Sequence, residues 1–137
     1  MTLTIVDTGP LVAFLNRRDG YHFWTRARLQ SIAPPMHTCE AVITEVLHLL
    51  RYIPKGHQQL WEMIRRQALT LSFELRDNSA RVAKLMQRYA DTPMSFADAC
   101  LVCMSEDAPN SHVLTLDSNF RIYKRHGRRA IPSIRPD

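Results

Sequence analysis

The sequence predicts a single α/β domain with a central, mostly parallel β-sheet that is flanked by α-helices. Short apolar segments of the kind that form buried strands alternate with longer segments that have helical periodicity. Connections that contain helices place successive strands parallel to one another and cover both faces of the sheet. A length of 137 residues, with 45% hydrophobic and 23% charged residues, is typical of one globular domain, so we expect residues 1–137 to form one unit.

The first half of the chain opens on a strand and continues mainly as helices. The apolar and β-branched run at residues 3–6 predicts a strand, after which Thr8 suits a helix N-cap and Pro10 suits the first helical turn. The pair Pro34-Pro35 separates two elements, and "EAVITEVLHLLRY" has the pattern of an amphipathic helix. The predicted elements are strand 3–6, helices 9–16 and 22–32, strand 36–39 and helix 40–52.

The second half alternates helices and strands, with Pro54, Pro93, Pro109 and Pro132 at the predicted boundaries. The segment "SFADACLVCM" is apolar on nearly every side, which is typical of a buried helix, and "HVLTL" has the pattern of a buried strand. The predicted elements are helix 57–67, strand 69–73, helices 78–90 and 96–105, strand 112–116, a short helix near 118–125 and a last strand near 130–134.

The cysteines and the hydropathy pattern bear on the compartment. Cys39, Cys100 and Cys103 lie in apolar segments, as buried reduced thiols of intracellular proteins do. The Cys100-x-x-Cys103 spacing also occurs in redox and zinc motifs, but here it falls inside an apolar helix. No apolar run reaches about 18 residues, and the start of the chain lacks a signal-peptide pattern, so we expect a cytoplasmic protein without membrane contact.

Two acidic residues directly follow predicted strands. Asp7 ends the segment "LTIVD", and Asp117 ends the segment "HVLTLD". A carboxylate in such a place has a local explanation, because it can cap the helix that follows it. Since the carboxyl ends of parallel strands meet at one edge of a sheet, we also expect the two carboxylates to lie at the same edge.

Two more acids fall at or within apolar helical faces. Glu45 lies at the border of the buried face of helix 40–52, where the alternative is an ordinary acid at the rim of an amphipathic helix. Asp98 is the one charged residue between Phe96 and Met104. The alternative for Asp98 is a capping interaction with Ser95, which would hold the carboxylate near the start of the helix.

Four acids in places where an isolated charge is unfavourable predict a shared cation. Oxygen ligands suit Mg²⁺ or Mn²⁺, and the sequence has no cluster of histidines and cysteines that would favour zinc. Such a cation activates a water for in-line attack on a phosphodiester. The net charge of +5 favours a polyanionic partner, so the combination predicts a nuclease.

With these motifs the chain resembles PIN-domain proteins, and more narrowly the small VapC-type toxins of type II toxin-antitoxin pairs. The resemblance covers nearly the whole chain and rests on "IVDTGPLVAFL", "ITEVLHLL", "YADTPMSFADACLVCMSE" and "VLTLDSNFRIY". It implies a PIN-like fold and a Mg²⁺- or Mn²⁺-dependent endoribonuclease that cleaves single-stranded or loop RNA by a metal-activated water. It also implies a homodimer and a small antitoxin protein as partner. Its catalytic, metal-binding acids correspond to Asp7, Glu45, Asp98 and Asp117.

Several residues near these motifs are candidates for supporting roles. Asn119 stands where many PIN-domain relatives carry another acid, which leaves the number of metal ions open. Thr8 is a candidate for orienting a water, with a helix N-cap as the alternative, and Asp91 is either an outer acid of the metal site or a turn residue. The segment 121–135 contains no acid and either contacts RNA phosphates or forms a solvated face. Its candidate RNA-binding residues are Arg121, Lys124, Arg125, Arg128 and Arg129.

Two other functions fit the same residues. One is a PIN nuclease of RNA processing or DNA repair, although the chain lacks room for the extra helices or partner domain that structured substrates would require. The other is a catalytically idle module that binds nucleic acid or protein. The presence of all four acids argues against the idle module, because without catalysis there is no reason to keep them.

Overall fold

The computed structural model describes residues 2–136 and confirms the α/β class. Within these residues a five-stranded parallel sheet is accompanied by six α-helices and a two-stranded antiparallel ribbon. The helices are α1 (Thr8–Leu15), α2 (His22–Gln30), α3 (Glu40–Leu49), α4 (Gly56–Arg65), α5 (Leu75–Arg88) and α6 (Phe96–Asp107), with one 3₁₀ helix (Ser118–Arg121). The strands are β1 (Leu3–Val6), β2 (Met36–Thr38), β3 (Leu69–Leu71), β4 (Ser111–Leu114), β5 (Lys124–Arg125), β6 (Arg129–Ala130) and β7 (Ser133–Ile134).

The order of the strands creates the crevice in which the acids lie. The sheet has the order β3-β2-β1-β4-β7, and all neighbouring strands are parallel. The chain first moves outward from the central strand β1 to β2 and β3, and then returns through α5 and α6 to β4 on the other side of β1. This reversal of direction opens a crevice between the carboxyl ends of β1 and β4, where parallel α/β sheets commonly bind ligands.

Helix α6 is buried, as its apolar sequence predicts. Every residue from Ala97 to Ser105 is buried, and the helix contacts α3, α5 and both β1 and β4. The predicted reduced state of the cysteines agrees with the structure, since Cys39, Cys100 and Cys103 are all buried and not bonded in disulfides. Within residues 2–136, no helix combines the length and the apolar character that crossing a membrane requires.

Three element predictions need correction. Helix α5 begins at Leu75 instead of residue 78. Asn78 lies inside its first turn, where its side-chain amide donates to the carbonyl of Glu74. The helix predicted near 118–125 is a single 3₁₀ turn followed by β5. The last predicted strand is split into β6 and β7, since Pro132 between them has no amide to donate to a strand partner.

The ribbon formed by β5 and β6 is fixed to the body of the domain by a half-buried arginine. Its turn places His126 and Gly127 at φ values of 50° and 73°, a left-handed conformation that glycine adopts readily. The guanidinium of Arg125 donates to the carbonyl of Pro109 over 3.0 Å and to the carbonyl and hydroxyl oxygens of Ser111, both over 2.9 Å. Arg125 therefore ties the ribbon to the loop that leads into β4.

We expect Arg125→Gln to lower the free energy of unfolding by about 1 to 3 kcal/mol, because it deprives the oxygens of Pro109 and Ser111 of their donor. The matched control is Arg128→Gln, which removes the same charge from an exposed position of the same ribbon. The control should change stability by no more than about 0.5 kcal/mol. Urea unfolding of both variants and the wild type measures the difference, and equal stabilities would contradict an anchoring role for Arg125.

Candidate functional site

All four predicted acids line one open cavity of about 430 Å³ at the crevice between β1 and β4. We call this cavity the acidic pocket, and its lining residues are Asp7, Thr8, Gly9, Glu45, Pro93, Ser95, Asp98, Leu116, Asp117 and Asn119. Gly9 marks a close approach in this lining, because an added Cβ would lie 3.1 Å from the side chain of Leu116. The close approach of α1 to the segment after β4 brings acids from both ends of the chain to the same cavity.

Asp7 is a buried acid that accepts two short hydrogen bonds. Its side chain is 7% exposed, its Oδ1 accepts from the amide of Thr8 over 2.7 Å, and its Oδ2 accepts from the hydroxyl of Thr115 over 2.7 Å. Burial is the main reason that the pKa of Asp7 is raised to about 7; the two hydrogen bonds oppose this rise, and the charges of Asp98 and Asp117 add to it. Asp7 thus caps α1 and also borders the pocket.

Thr115 links the ends of β1 and β4. Its buried hydroxyl donates to Asp7 and accepts from the backbone amide of Asp117 over 2.9 Å. The sequence carries no distinct signal for this role, because a threonine at the end of a strand is explained equally well by its β-propensity. The contact becomes visible only once the two strands are neighbours.

Glu45 and Thr8 connect α3 to the start of α1. Glu45 is half-buried on α3, as its position at the border of the apolar face predicts. The hydroxyl of Thr8 donates to Oε1 of Glu45. Thr8 is not the N-cap that the sequence suggests, because Asp7 has the extended backbone and the side-chain acceptor of a cap, and Thr8 is the first helical residue.

Asp98 is held by two different elements. It forms a capping box with Ser95 at the start of α6, in which each side chain accepts from the backbone amide of the other residue. The hydroxyl of Tyr123 donates to Oδ2 of Asp98 over 2.9 Å. Burial raises the pKa of Asp98, and the bond from Tyr123 acts in the opposite direction. Tyr123 has no local sequence signal, because its partner lies 25 residues away.

Asp117 and Asn119 form the edge of the pocket after β4. Oδ1 of Asp117 accepts from the backbone amide of Asn119 over 2.9 Å, so Asp117 caps the 3₁₀ helix. Asn119 lines the pocket but carries no charge. The acidic pocket therefore has four carboxylates, and Asn119 supplies an amide at its edge.

The remaining predicted residues lie outside the pocket lining. Asp91 is exposed in the turn after α5, which agrees with the turn interpretation. Arg121, Arg128 and Arg129 are exposed, and Lys124 is half-buried in β5. Arg125 is also half-buried, and its guanidinium already donates to Pro109 and Ser111.

The PIN-domain family profile matches residues 4–125, which is most of the sequence and includes all four acids. The chain belongs to the PIN-domain family. No curated protein matches the sequence. PIN domains are generally nucleases, which are hydrolases of phosphodiester bonds, and they typically use divalent metal ions.

The acidic pocket of this PIN domain suits a divalent cation in the chemistry of its donors. Its lining offers four carboxylates and contains neither histidine nor cysteine, which is the donor set of hard cations such as Mg²⁺ and Mn²⁺. Within residues 2–136, no group of three or more His, Cys, Asp or Glu side chains has the arrangement of a formed metal site. Carboxylates that repel one another are expected to draw closer around a cation, which offsets the unfavourable burial of charge.

The raised pKa of Asp7 gives the metal-free PIN domain an unusual pH dependence. The pKa of Asp7 is about 7 in the folded state, against an ordinary value of 3.8. Between these pH values the folded state retains a proton that the unfolded state loses. Stability therefore falls as the pH rises from about 4 to about 7. An asparagine side chain cannot ionise, so the stability of Asp7→Asn lacks this pH dependence. Relative to the wild type, its free energy of unfolding should therefore rise by up to about 1.4 kcal/mol for each pH unit in this range.

Urea unfolding of both proteins in chelator, between about pH 5 and pH 8, measures this difference. Asp91→Asn is the control, because it removes a carboxylate from an exposed turn. The control should follow the wild type at every pH. A variant Asp7→Asn that is less stable than the wild type even at about pH 8 would show that the fold requires this charge as a helix cap.

Proposed function

We propose that this PIN domain is a Mg²⁺- or Mn²⁺-dependent endoribonuclease and the toxin of a type II toxin-antitoxin pair, acting in the cytoplasm as VapC-type proteins do. The observation that carries the proposal is the meeting of Asp7, Glu45, Asp98 and Asp117 in one pocket. A structural role explains each acid separately as a cap or a rim residue, but it gives no reason for all four to border the same cavity. A shared cationic ligand does give such a reason.

In the proposed mechanism the four carboxylates would hold a divalent cation in the acidic pocket. When bound, the cation activates water and stabilises the charge that develops on the phosphodiester. The protein contributes fixed carboxylate positions: Thr8 holds Glu45, Thr115 holds Asp7, and the capping box together with Tyr123 holds Asp98. Such preorganised groups lower the barrier because they need little rearrangement during the reaction.

Exposed arginines in the segment 121–135 support RNA as the substrate. The 3₁₀ helix that begins directly after Asp117 carries the exposed Arg121, and the ribbon carries the exposed Arg128 and Arg129. Cations in these places attract phosphates regardless of base sequence. We do not assign Arg125 to this surface, because its guanidinium is used to anchor the ribbon.

The proposed partners are a second copy of the chain and a small antitoxin. Large apolar side chains at the surface, among them Phe23, Tyr52 and Trp61, offer apolar area for protein contacts. A short reading frame that overlaps this gene and encodes a small DNA-binding protein would support the antitoxin, and an unrelated neighbouring gene would count against it.

Asp98→Asn should reduce the rate of RNA cleavage by at least about 100-fold, because it removes a principal electrostatic contributor from the pocket. The measurement is cleavage of a labelled single-stranded RNA in Mg²⁺ or Mn²⁺, with double-stranded DNA as a comparison substrate. Asp91→Asn is the matched control, since it makes the same chemical change outside the pocket.

The control should cleave at the wild-type rate, and chelator should abolish cleavage by every protein. Equal rates for Asp98→Asn and the wild type, or full activity in excess chelator, would contradict a metal-dependent reaction in the acidic pocket. Cleavage of the DNA in preference to the RNA would instead favour a repair nuclease.

The double variant Arg121→Gln, Arg128→Gln should weaken RNA binding by similar factors for all RNA sequences. Each lost phosphate contact should reduce the slope of log affinity against log salt concentration by about 0.7 for a single strand. The control is the double variant Arg17→Gln, Arg18→Gln, which also removes two exposed charges. These residues follow the C-terminal end of α1, whereas Asp7 precedes its N-terminal end. If the two double variants have the same slope, the segment 121–135 is a solvated face and not an RNA-binding surface.

A further inference from the structure

Tyr123 is a fully buried tyrosine whose hydroxyl bonds to one of the acids that line the acidic pocket. Its side chain is 0% exposed, and its hydroxyl donates to Oδ2 of Asp98 over 2.9 Å. The phenol therefore contacts the carboxylate at the start of α6.

The ring of Tyr123 is fixed by its aromatic neighbours. It packs edge-to-face against Phe120, with the ring centroids 5.2 Å apart, and against Tyr89, with the centroids 5.1 Å apart. A ring held on two sides leaves the hydroxyl little freedom, so the position of the donor is set by the core and not by solvent. The bond to Asp98 then restricts the rotation of that carboxylate.

We propose that Tyr123 is a positioning residue that holds the carboxylate of Asp98 in the orientation that a divalent cation meets in the acidic pocket. This inference rests on the proposed metal-dependent function. Ligating carboxylates in metal sites are themselves hydrogen-bonded by neighbouring groups, and loss of such a neighbour typically weakens metal binding about 10- to 100-fold. Oδ2 of Asp98 accepts two hydrogen bonds, one from the hydroxyl of Tyr123 and one from the amide of Ser95. Removing the hydroxyl of Tyr123 leaves Oδ2 with only the longer bond, of 3.4 Å.

The chain offers a matched control in Tyr89, which belongs to the same aromatic cluster. The hydroxyl of Tyr89 accepts from the backbone amide of Lys124 over 3.0 Å. Tyr89→Phe and Tyr123→Phe therefore delete the same atom from touching rings, and each removes one hydrogen bond. Both should lower the melting temperature by a few degrees, but only Tyr123→Phe alters a partner of the acidic pocket.

The test is calorimetric titration of Mn²⁺, without RNA, into the wild type and both variants, at a temperature at which all three are folded. We expect Tyr123→Phe to raise the dissociation constant at least about 10-fold and Tyr89→Phe to leave it unchanged. The increase in melting temperature that a fixed Mn²⁺ concentration produces should likewise be smaller for Tyr123→Phe alone.

The outcomes separate the inference from the proposed function. If the wild type binds Mn²⁺ and Tyr123→Phe binds it equally well, the metal site stands and Tyr123 is only a core residue. If Tyr89→Phe weakens binding as much as Tyr123→Phe, the effect belongs to the aromatic cluster and the positioning role is wrong. If the wild type binds no Mn²⁺, the metal-dependent function fails and the inference fails with it.

Discussion

The burial of a carboxylate at the end of the central strand is the constraint on which the surrounding structure depends. Asp7 is almost removed from solvent, and desolvation of a negative charge is unfavourable unless donors replace the lost water. The amide of Thr8 and the hydroxyl of Thr115 are those donors. Because Thr115 also accepts from the amide of Asp117, the arrangement that satisfies Asp7 fixes the end of β4 relative to the end of β1.

Capping and a role in the pocket are compatible for three of the four acids. Asp7 caps α1, Asp98 belongs to the capping box of α6, and Asp117 caps the 3₁₀ helix. The start of a helix carries free amides and a partial positive charge, so it is a favourable place for a carboxylate. The cap then restricts the direction of the side chain, which a metal site also requires. The remaining repulsion among the carboxylates is what a bound cation would relieve.

Much of the fold could be predicted because its signals are local. Buried strands and the apolar helix α6 follow from runs and periodicities that span only a few residues. The limits of the elements were harder to predict, because local propensity is overruled by the tertiary structure. The helix predicted to begin at residue 78 begins at Leu75, and Pro132 interrupts what the sequence presents as one final strand.

The sequence by itself determined the parallel α/β class and the acids that end β1 and follow β4, because strand patterns and the chain direction set which residues reach the carboxyl edge of the sheet. Only the tertiary structure decided which neighbours hold those acids. Thr115 meets Asp7 across 108 residues of sequence, and Tyr123 meets Asp98 across 25. The same holds for Arg125, whose charge suggests an RNA contact but whose guanidinium bonds to Pro109 and Ser111. Such contacts depend on which elements pack together, and no local pattern of residues encodes that packing.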